Sequence, residues 1–175
     1  MCLRIIAGTH KGARIFAPKG RDTRPTSDRA REAAFNLIGP VDGARVLDLD
    51  AGSGAMGLEA LSRGAATATF VEGDRDAVHA IERNLDKLRL TGARVVHGDA
   101  IRFLGTDSGT YDLVLCDPPY ERFDTQALGR YLPARLAPDA LVVIETSSRD
   151  PEPELPLALR TSRRYGAARI TLFEP

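Results

Sequence analysis

The sequence predicts a doubly wound α/β fold, a mostly parallel sheet with helices on both faces. Three observations predict it. From residue 45 onward, short apolar runs alternate with segments of helical period. Those runs are continuously apolar rather than alternating, as in strands covered on both sides. A glycine-rich turn joins the first run to the helix after it, the junction typical of a parallel nucleotide-binding sheet.

Each element has a local reason. Residues 3–7 and 13–17 are short β-type runs around a glycine-containing turn and predict a hairpin. The segment Arg24-Pro25-Thr26-Ser27 leads into a helix near 27–38, capped by Thr26 or Ser27. Ala30, Ala33, Ala34, Leu37 and Ile38 supply its apolar face, and Gly39-Pro40 stops it. Strands are expected at 45–49, 67–72, 94–97, 111–116 and 140–145. The clearest helix spans 74–90, with Val78, Ile81, Leu85 and Leu88 on one face. Residues 157–164 and 168–173 flank Tyr165-Gly166 and read as a terminal antiparallel pair, reached through the proline-rich connection 150–156. Residues 1–40 therefore form an N-terminal hairpin and helix, and residues 41–175 the α/β domain.

Composition narrows the class. A chain of 175 residues, 43% apolar and 27% charged, suits one globular domain. No apolar run approaches the ~18 residues of a membrane span, and no secretory signal pattern opens the chain. A cytoplasmic protein, monomeric, is expected. Cys2 and Cys116 form no CxxC pair, and His10, His79 and His97 are scattered, so no metal site is expected. Cys116 ends an apolar run and reads as a buried thiol. The net charge of zero is unevenly spread: residues 1–36 carry eight basic and three acidic side chains, the one strong basic asymmetry read here. Such an end suits contact with a polyanion; a solvated surface is the bland alternative.

The segment Val46 to Gly57 carries the first chemical signal. Gly52, Gly54 and Gly57 fit G-x-G-x-x-G between a strand and a helix, and Ala51 opens the loop. Glu72 ends the next strand, 20 residues after Gly52, where a carboxylate accepts hydrogen bonds from both ribose hydroxyls of a nucleoside. A dinucleotide would satisfy those features. Asp48 favours S-adenosylmethionine instead, because its carboxylate suits an ammonium, directly or through water, and opposes a pyrophosphate. Gly98-Asp99-Ala100 ends the third strand, where Asp99 either binds an adenine amino group or only caps a helix over 100–104.

The second signal is Asp117-Pro118-Pro119-Tyr120, after Leu113-Val114-Leu115-Cys116. Ligands in open α/β sheets bind outside the carboxyl ends of the strands. The prolines fix the backbone and remove two N–H donors, leaving carbonyls, a carboxylate and a ring. An exocyclic amino group, a poor nucleophile because its lone pair is delocalised, needs such a surface. The Asp117 carboxylate and Pro118 carbonyl would accept its two N–H groups, and Tyr120 would stack on the base. A base treated this way must leave its stack.

These residues together resemble a known family. Arg4-Ile5-Ile6-Ala7-Gly8, Arg24-Pro25-Thr26-Ser27-Asp28-Arg29-Ala30-Arg31-Glu32, Ala51 through Ala65 and Asp117-Pro118-Pro119-Tyr120 are similar to the RsmD family of bacterial 16S rRNA (guanine-N2)-methyltransferases. The similarity covers nearly the whole chain. It implies a class I, Rossmann-like S-adenosylmethionine-dependent methyltransferase, a seven-stranded sheet with the last strand antiparallel, preceded by a β-hairpin. It implies methylation of one guanine of 16S rRNA, in 30S particles or their precursors. Glu72 would then hold the ribose, the glycine loop the methionine end, Asp99 with Ala100 the adenine, and Asp117 to Tyr120 the target base. Arg24 and Thr26 would close over the cofactor. Lys11, Arg14, Arg29 and Arg31 would contact rRNA phosphates. Where members carry an apolar residue just before Ala-Gly-Ser-Gly, this chain carries Asp50, able to bond the ligand's ammonium or repel its carboxylate.

Three other functions fit parts of the pattern. DNA adenine-N6 methylation also uses Asp-Pro-Pro-Tyr, but this chain has no obvious target-recognition domain. A non-catalytic RNA-binding assembly protein would not need the intact motif. A nicotinamide-dependent oxidoreductase would bind NAD.

Overall fold

The computed structural model describes residues 3–18, 27–118 and 123–175. A two-stranded hairpin, β1 (Leu3–Arg4) and β2 (Arg14–Ile15), precedes helix α1 (Asp28–Ile38). Then follow β3 (Arg45–Leu49), α2 (Ala55–Ser62), β4 (Thr67–Glu72), α3 (Arg75–Leu88), β5 (Ala93–His97), α4 (Ala100–Thr106), β6 (Tyr111–Cys116), α5 (Thr125–Tyr131), a 3-10 turn, β7 (Leu136–Ser147), β8 (Ala158–Tyr165) and β9 (Ala168–Glu174). Strands β3 to β9 form one seven-stranded sheet in the order β5-β4-β3-β6-β7-β9-β8. Every pair from β5 to β7 is parallel, and β9 runs antiparallel to both β7 and β8. The expected sheet, with its last strand reversed, is the one observed.

Period-two alternation divides the core. Val46 and Leu47 on β3 face opposite sides of the sheet, and each joins a different apolar cluster. One cluster gathers Phe35, Leu58, Phe70 and Ile81 under α1, α2, α3 and the hairpin. The other gathers Phe103, Leu104, Leu128 and Leu132 under α4 and α5. Burying each such side chain contributes about 1.5–3 kcal/mol. Cys116 is a buried free thiol, as expected.

Several elements differ from the sequence reading. Regular hairpin pairing covers only residues 3–4 and 14–15, because residues 6–12 turn onto α2 and α3 instead. Strand β7 extends from 136 to 147 rather than 140–145. Pro138 and Asp139 lie within it, and a register shift between Tyr111 and Leu113 carries the β6–β7 pairing past them. Ser27 is the cap of α1, accepting from the Ala30 amide at 3.1 Å. The buried face of that helix includes Phe35 and, unexpectedly, Arg31.

Arg31 corrects an expectation. Its side chain is fully buried. The guanidinium donates to the Arg4 carbonyl and to Asp28 (3.0 Å), and lies 3.9 Å from the buried Glu59. Burial lowers its pKa against the pull of Glu59 and Asp28. A guanidinium so enclosed is a strut between hairpin, α1 and α2, and is not presented to RNA.

Candidate active site

The site is built at the carboxyl ends of the parallel strands. Leu49 on β3 is level with Val71 on β4 and Cys116 on β6. The next residues, Asp50, Glu72 and Asp117, therefore stand side by side, with Asp99 just beyond β5. In sheet order the edge reads Asp99, Glu72, Asp50, Asp117: four acids on four adjacent strands.

The glycine loop is held from below. Ala51 donates to the Val71 carbonyl at 3.1 Å, and the Gly54 amide closes the turn onto Ala51 at 2.7 Å. Gly57 sits in the first turn of α2, where a Cβ would lie 2.3 Å from the Phe70 ring and 2.9 Å from the Asp48 carboxylate, so no larger residue fits. Its amide donates to Asp48 at 2.9 Å. Asp48, 3% exposed, is thus packed against the start of α2 rather than open to solvent. Burial pushes its carboxyl well above the usual range, and Asp117, Glu72 and Asp50 add repulsion.

Glu72 is also buried, and both its oxygens are engaged. One accepts from the Gly52 amide and the other from Asp74, each at 2.7 Å. The carboxylate thereby ties the glycine loop to the start of α3, leaving lone pairs for a diol. Asp99 is exposed, and one oxygen caps α4 by accepting from the Arg102 amide at 2.8 Å. The capping alternative is realised, with the second oxygen left over; Ala100 opens that helix.

Asp50 is the acid most altered by its setting. Its carboxyl is pushed up to about 6 by burial first, then by Glu72 and Asp99. Crowded, partly desolvated carboxylates suit a cationic ligand and disfavour a pyrophosphate. The donor set therefore fits the sulfonium and ammonium of S-adenosylmethionine.

Asp117 is exposed at the end of β6, and Pro118 beside it is buried. Pro119 and Tyr120, with Arg24 and Thr26, lie outside the described residues. Among the described residues, no cluster of potential metal ligands occurs.

The N-terminal basic residues are placed unevenly. Lys11, Arg14 and Arg29 are exposed. The hairpin tip, however, rests on the C-terminal ends of α2 and α3. Thr9 donates to the Ser62 carbonyl at 2.8 Å, and His10 Nε2 meets the Leu88 carbonyl at 2.9 Å. Those helix ends lie at the amino end of the sheet. Lys11 is thus on the order of 12 Å, the length of α2, away from the glycine loop.

Asn84 escaped the sequence reading. It is fully buried. Its amide accepts from the Phe16 N–H at 2.7 Å, donates to the Phe16 carbonyl at 3.0 Å, and reaches the Ser53 carbonyl at 3.4 Å. One side chain thus ties the strand leaving the hairpin to the glycine loop. The available signal was its position, three residues after Ile81 and four before Leu88, on the apolar stripe of α3.

Known proteins are similar to this chain in sequence and fold. Residues 3–174 match the family model described as conserved hypothetical protein 95. Ribosomal RNA small subunit methyltransferase D of Escherichia coli K12 is 40% identical, over 96% of this chain and 86% of its own. The Haemophilus influenzae protein of the same name is 34% identical, over 85% and 81%. Among solved structures, yhhF of Escherichia coli superposes with a TM-score of 0.87 at 37% identity, covering 99% of this chain and 97% of its own. A 16S rRNA N2 methyltransferase of Thermus thermophilus, solved with AdoMet and guanosine, shares the fold at a TM-score of 0.74 and 24% identity, over 99% of this chain and 49% of its own. With the sheet order, the glycine loop and the Asp117 strand end in one continuous match, the chain belongs to the ribosomal RNA small subunit methyltransferase D (RsmD) family of S-adenosylmethionine-dependent enzymes.

Proposed function

We propose that this enzyme transfers a methyl group from S-adenosylmethionine to the exocyclic N2 of one guanine in 16S rRNA, as a cytoplasmic monomer acting on 30S particles or their precursors. The observation that carries the reading is the adjacency of Asp50 and Asp117, on neighbouring strands whose last residues, Leu49 and Cys116, pair in register. Strands in a sheet are about 4.8 Å apart. A ligand over β3 to β5 and a base over β6 therefore meet at the boundary between the two.

S-adenosylmethionine supplies an electrophilic methyl on a sulfonium. Glu72 holds the ribose hydroxyls, Asp99 and the first amide of α4, that of Ala100, meet the adenine, and the loop Ala51, Gly52, Gly54 takes the methionine end. Asp50 faces the ammonium, and Asp48, enclosed beneath the loop, anchors the first turn of α2 through the Gly57 amide. Arg24 and Thr26 close over the cofactor. At the acceptor, the Asp117 carboxylate and the Pro118 carbonyl accept hydrogen bonds from the two N2 N–H groups, which localises the lone pair for attack. Tyr120, next to Pro119 in the motif, would stack on the flipped base. Bound S-adenosylmethionine would supply the methyl carbon to the N2 nitrogen and keep the bonding pair on sulfur, and Asp117 would be the first acceptor of the N2 proton released. Positioning supplies much of the acceleration. Lys11, Arg14 and Arg29 contact rRNA phosphates, Lys11 at a distance from the reacting base.

The test is single-turnover methylation of 30S particles, with mass-spectrometric mapping of the product nucleoside. Asp117→Ala is expected to keep the fold and calorimetric cofactor affinity while the rate falls roughly 10²–10³-fold, the loss of a transition-state interaction of ~3–4 kcal/mol. A near-normal rate removes Asp117 from the chemistry. N6-methyladenine in place of N2-methylguanine overturns the substrate assignment.

A further inference from the structure

The four acids occupy only one half of the carboxyl edge of the sheet. Strands β7, β9 and β8 form the other half, where Asp150, Glu152 and Glu154 follow β7 and a run of arginines lies on β8 and β9. Residues 158–173 contain Arg160, Arg163, Arg164 and Arg169 and no acid, a second basic asymmetry that the sequence reading overlooked. Arg160 pairs with Glu174 at 3.1 Å, and buried Arg169 lies 3.9 Å from Glu152. Arg163 and Arg164 are exposed and, among the described residues, in no ion pair.

Register fixes where those two arginines stand. Arg164 opposes Arg169, Arg169 opposes Thr146, and Ile144 opposes Cys116. Arg164 is therefore level with Pro118, three strand spacings away, or about 15 Å. Arg163 opposes Ile170 and points to the other face, so the pair straddles the sheet edge. Arg164 directly across from Arg169 is also a like-charge cross-strand pair, which weakens a sheet. Edge strands do carry charge to block pairing with other chains. That task requires neither one sign nor placement at the catalytic end.

We propose that Arg163 and Arg164 are a docking surface for the RNA backbone, gripping phosphates of nucleotides that flank the target guanine. The proposal rests on the rRNA reading above. The cofactor fills the acidic half of the edge, so the strand bearing the guanine approaches across β7, β9 and β8. Guanidinium forks match phosphate oxygens in geometry as well as charge. The hairpin tip, at the amino end of the sheet, does not reach those phosphates.

The experiment measures 30S binding by co-sedimentation across a salt series, alongside KM for methyl transfer. Arg163→Ala with Arg164→Ala is expected to raise KM on the order of tenfold and to lower the salt slope by about 0.7–0.9 per lost contact, since each phosphate contact releases counterion. Calorimetric affinity for S-adenosylmethionine is expected to stay unchanged. R163K with R164K, which keeps both charges, is expected to retain the slope. A folded double alanine variant with unaltered KM and slope overturns the proposal. So does a variant that self-associates in ultracentrifugation while its monomer binds 30S normally, because the arginines then only guard the edge. If the wild-type protein binds 30S through these arginines yet methylates no guanine, the functional reading fails and the docking surface stands.

Discussion

Asp50 adopts φ 53°, a left-handed conformation that costs most residues energy and that aspartate and asparagine tolerate best. Its effect is legible only with the fold in hand. The sequence marks an extra acid; what raises its carboxyl to about 6 is burial first, then Glu72 and Asp99, which come from elsewhere in the chain. An unfolded chain releases this proton near 3.8, and the folded one only near 6. The folded state therefore binds more protons between those values, and stability falls as pH rises through that window. Asp50→Asn, which keeps the backbone preference, is expected to raise Tm at pH 7.5 and to leave it nearly unchanged at pH 3.5. A cationic ligand favours the ionised carboxylate, so wild-type affinity for S-adenosylmethionine is expected to rise from pH 5 to 7. In Asp50→Asn that rise is expected to flatten. Calorimetry at three pH values checks it, and a flat wild-type profile places Asp50 outside the ligand's reach.

At the scale of elements, periodicity located strands β3, β4 and β6 to the residue, because continuous apolar runs bounded by glycine or charge have few other solutions. It did less well where polar side chains do structural work inside the core. Asn84 sits on the buried stripe of α3 and Arg31 on that of α1, and both looked like interruptions or surface charge. Phe16 lies 68 residues from Asn84, and Arg31, besides its neighbour Asp28, is held by Arg4 and Glu59 from other elements, so the local sequence does not announce the burial of either. Asn84→Ala would leave the Phe16 amide and carbonyl without this partner. Each buried polar group left unsatisfied costs about 1–3 kcal/mol. Urea unfolding is expected to show that loss. Cofactor affinity is expected to weaken as well, because the same side chain steadies Ser53 in the glycine loop.

At the scale of the whole molecule, the carboxyl edge of the sheet is charge-polarised, acidic over β5 to β6 and basic over β9 and β8. The acids were legible because strand-end motifs announce them. The basic half was not, because β8 and β9 are sequential in the chain but separated from the site by β7 in space. The N-terminal unit has a different relation to the rest. Fully buried Glu59 accepts from the Ile6 and Ala7 amides at 2.8 and 2.9 Å, and pairs with Arg31 and Arg63. Gly8 lies so close to α2 that a Cβ there would stand 1.8 Å from the Ser62 carbonyl. These contacts set an order of events during synthesis. The first forty residues are synthesised before Glu59, Ser62, Asn84 and Leu88, so the hairpin waits, undocked, until the helices it rests on have been made and have emerged. The wait also runs the other way: until the hairpin returns, the nascent sheet carries a buried carboxylate lacking most of its partners. A fragment of residues 41–175 is expected to be stranded at that stage. Breaking a buried ion pair costs about 3–5 kcal/mol, so its thermal transition is expected to fall well below that of the intact chain. Adding a peptide of residues 1–40 is expected to restore it, and circular dichroism melts with and without the peptide measure both.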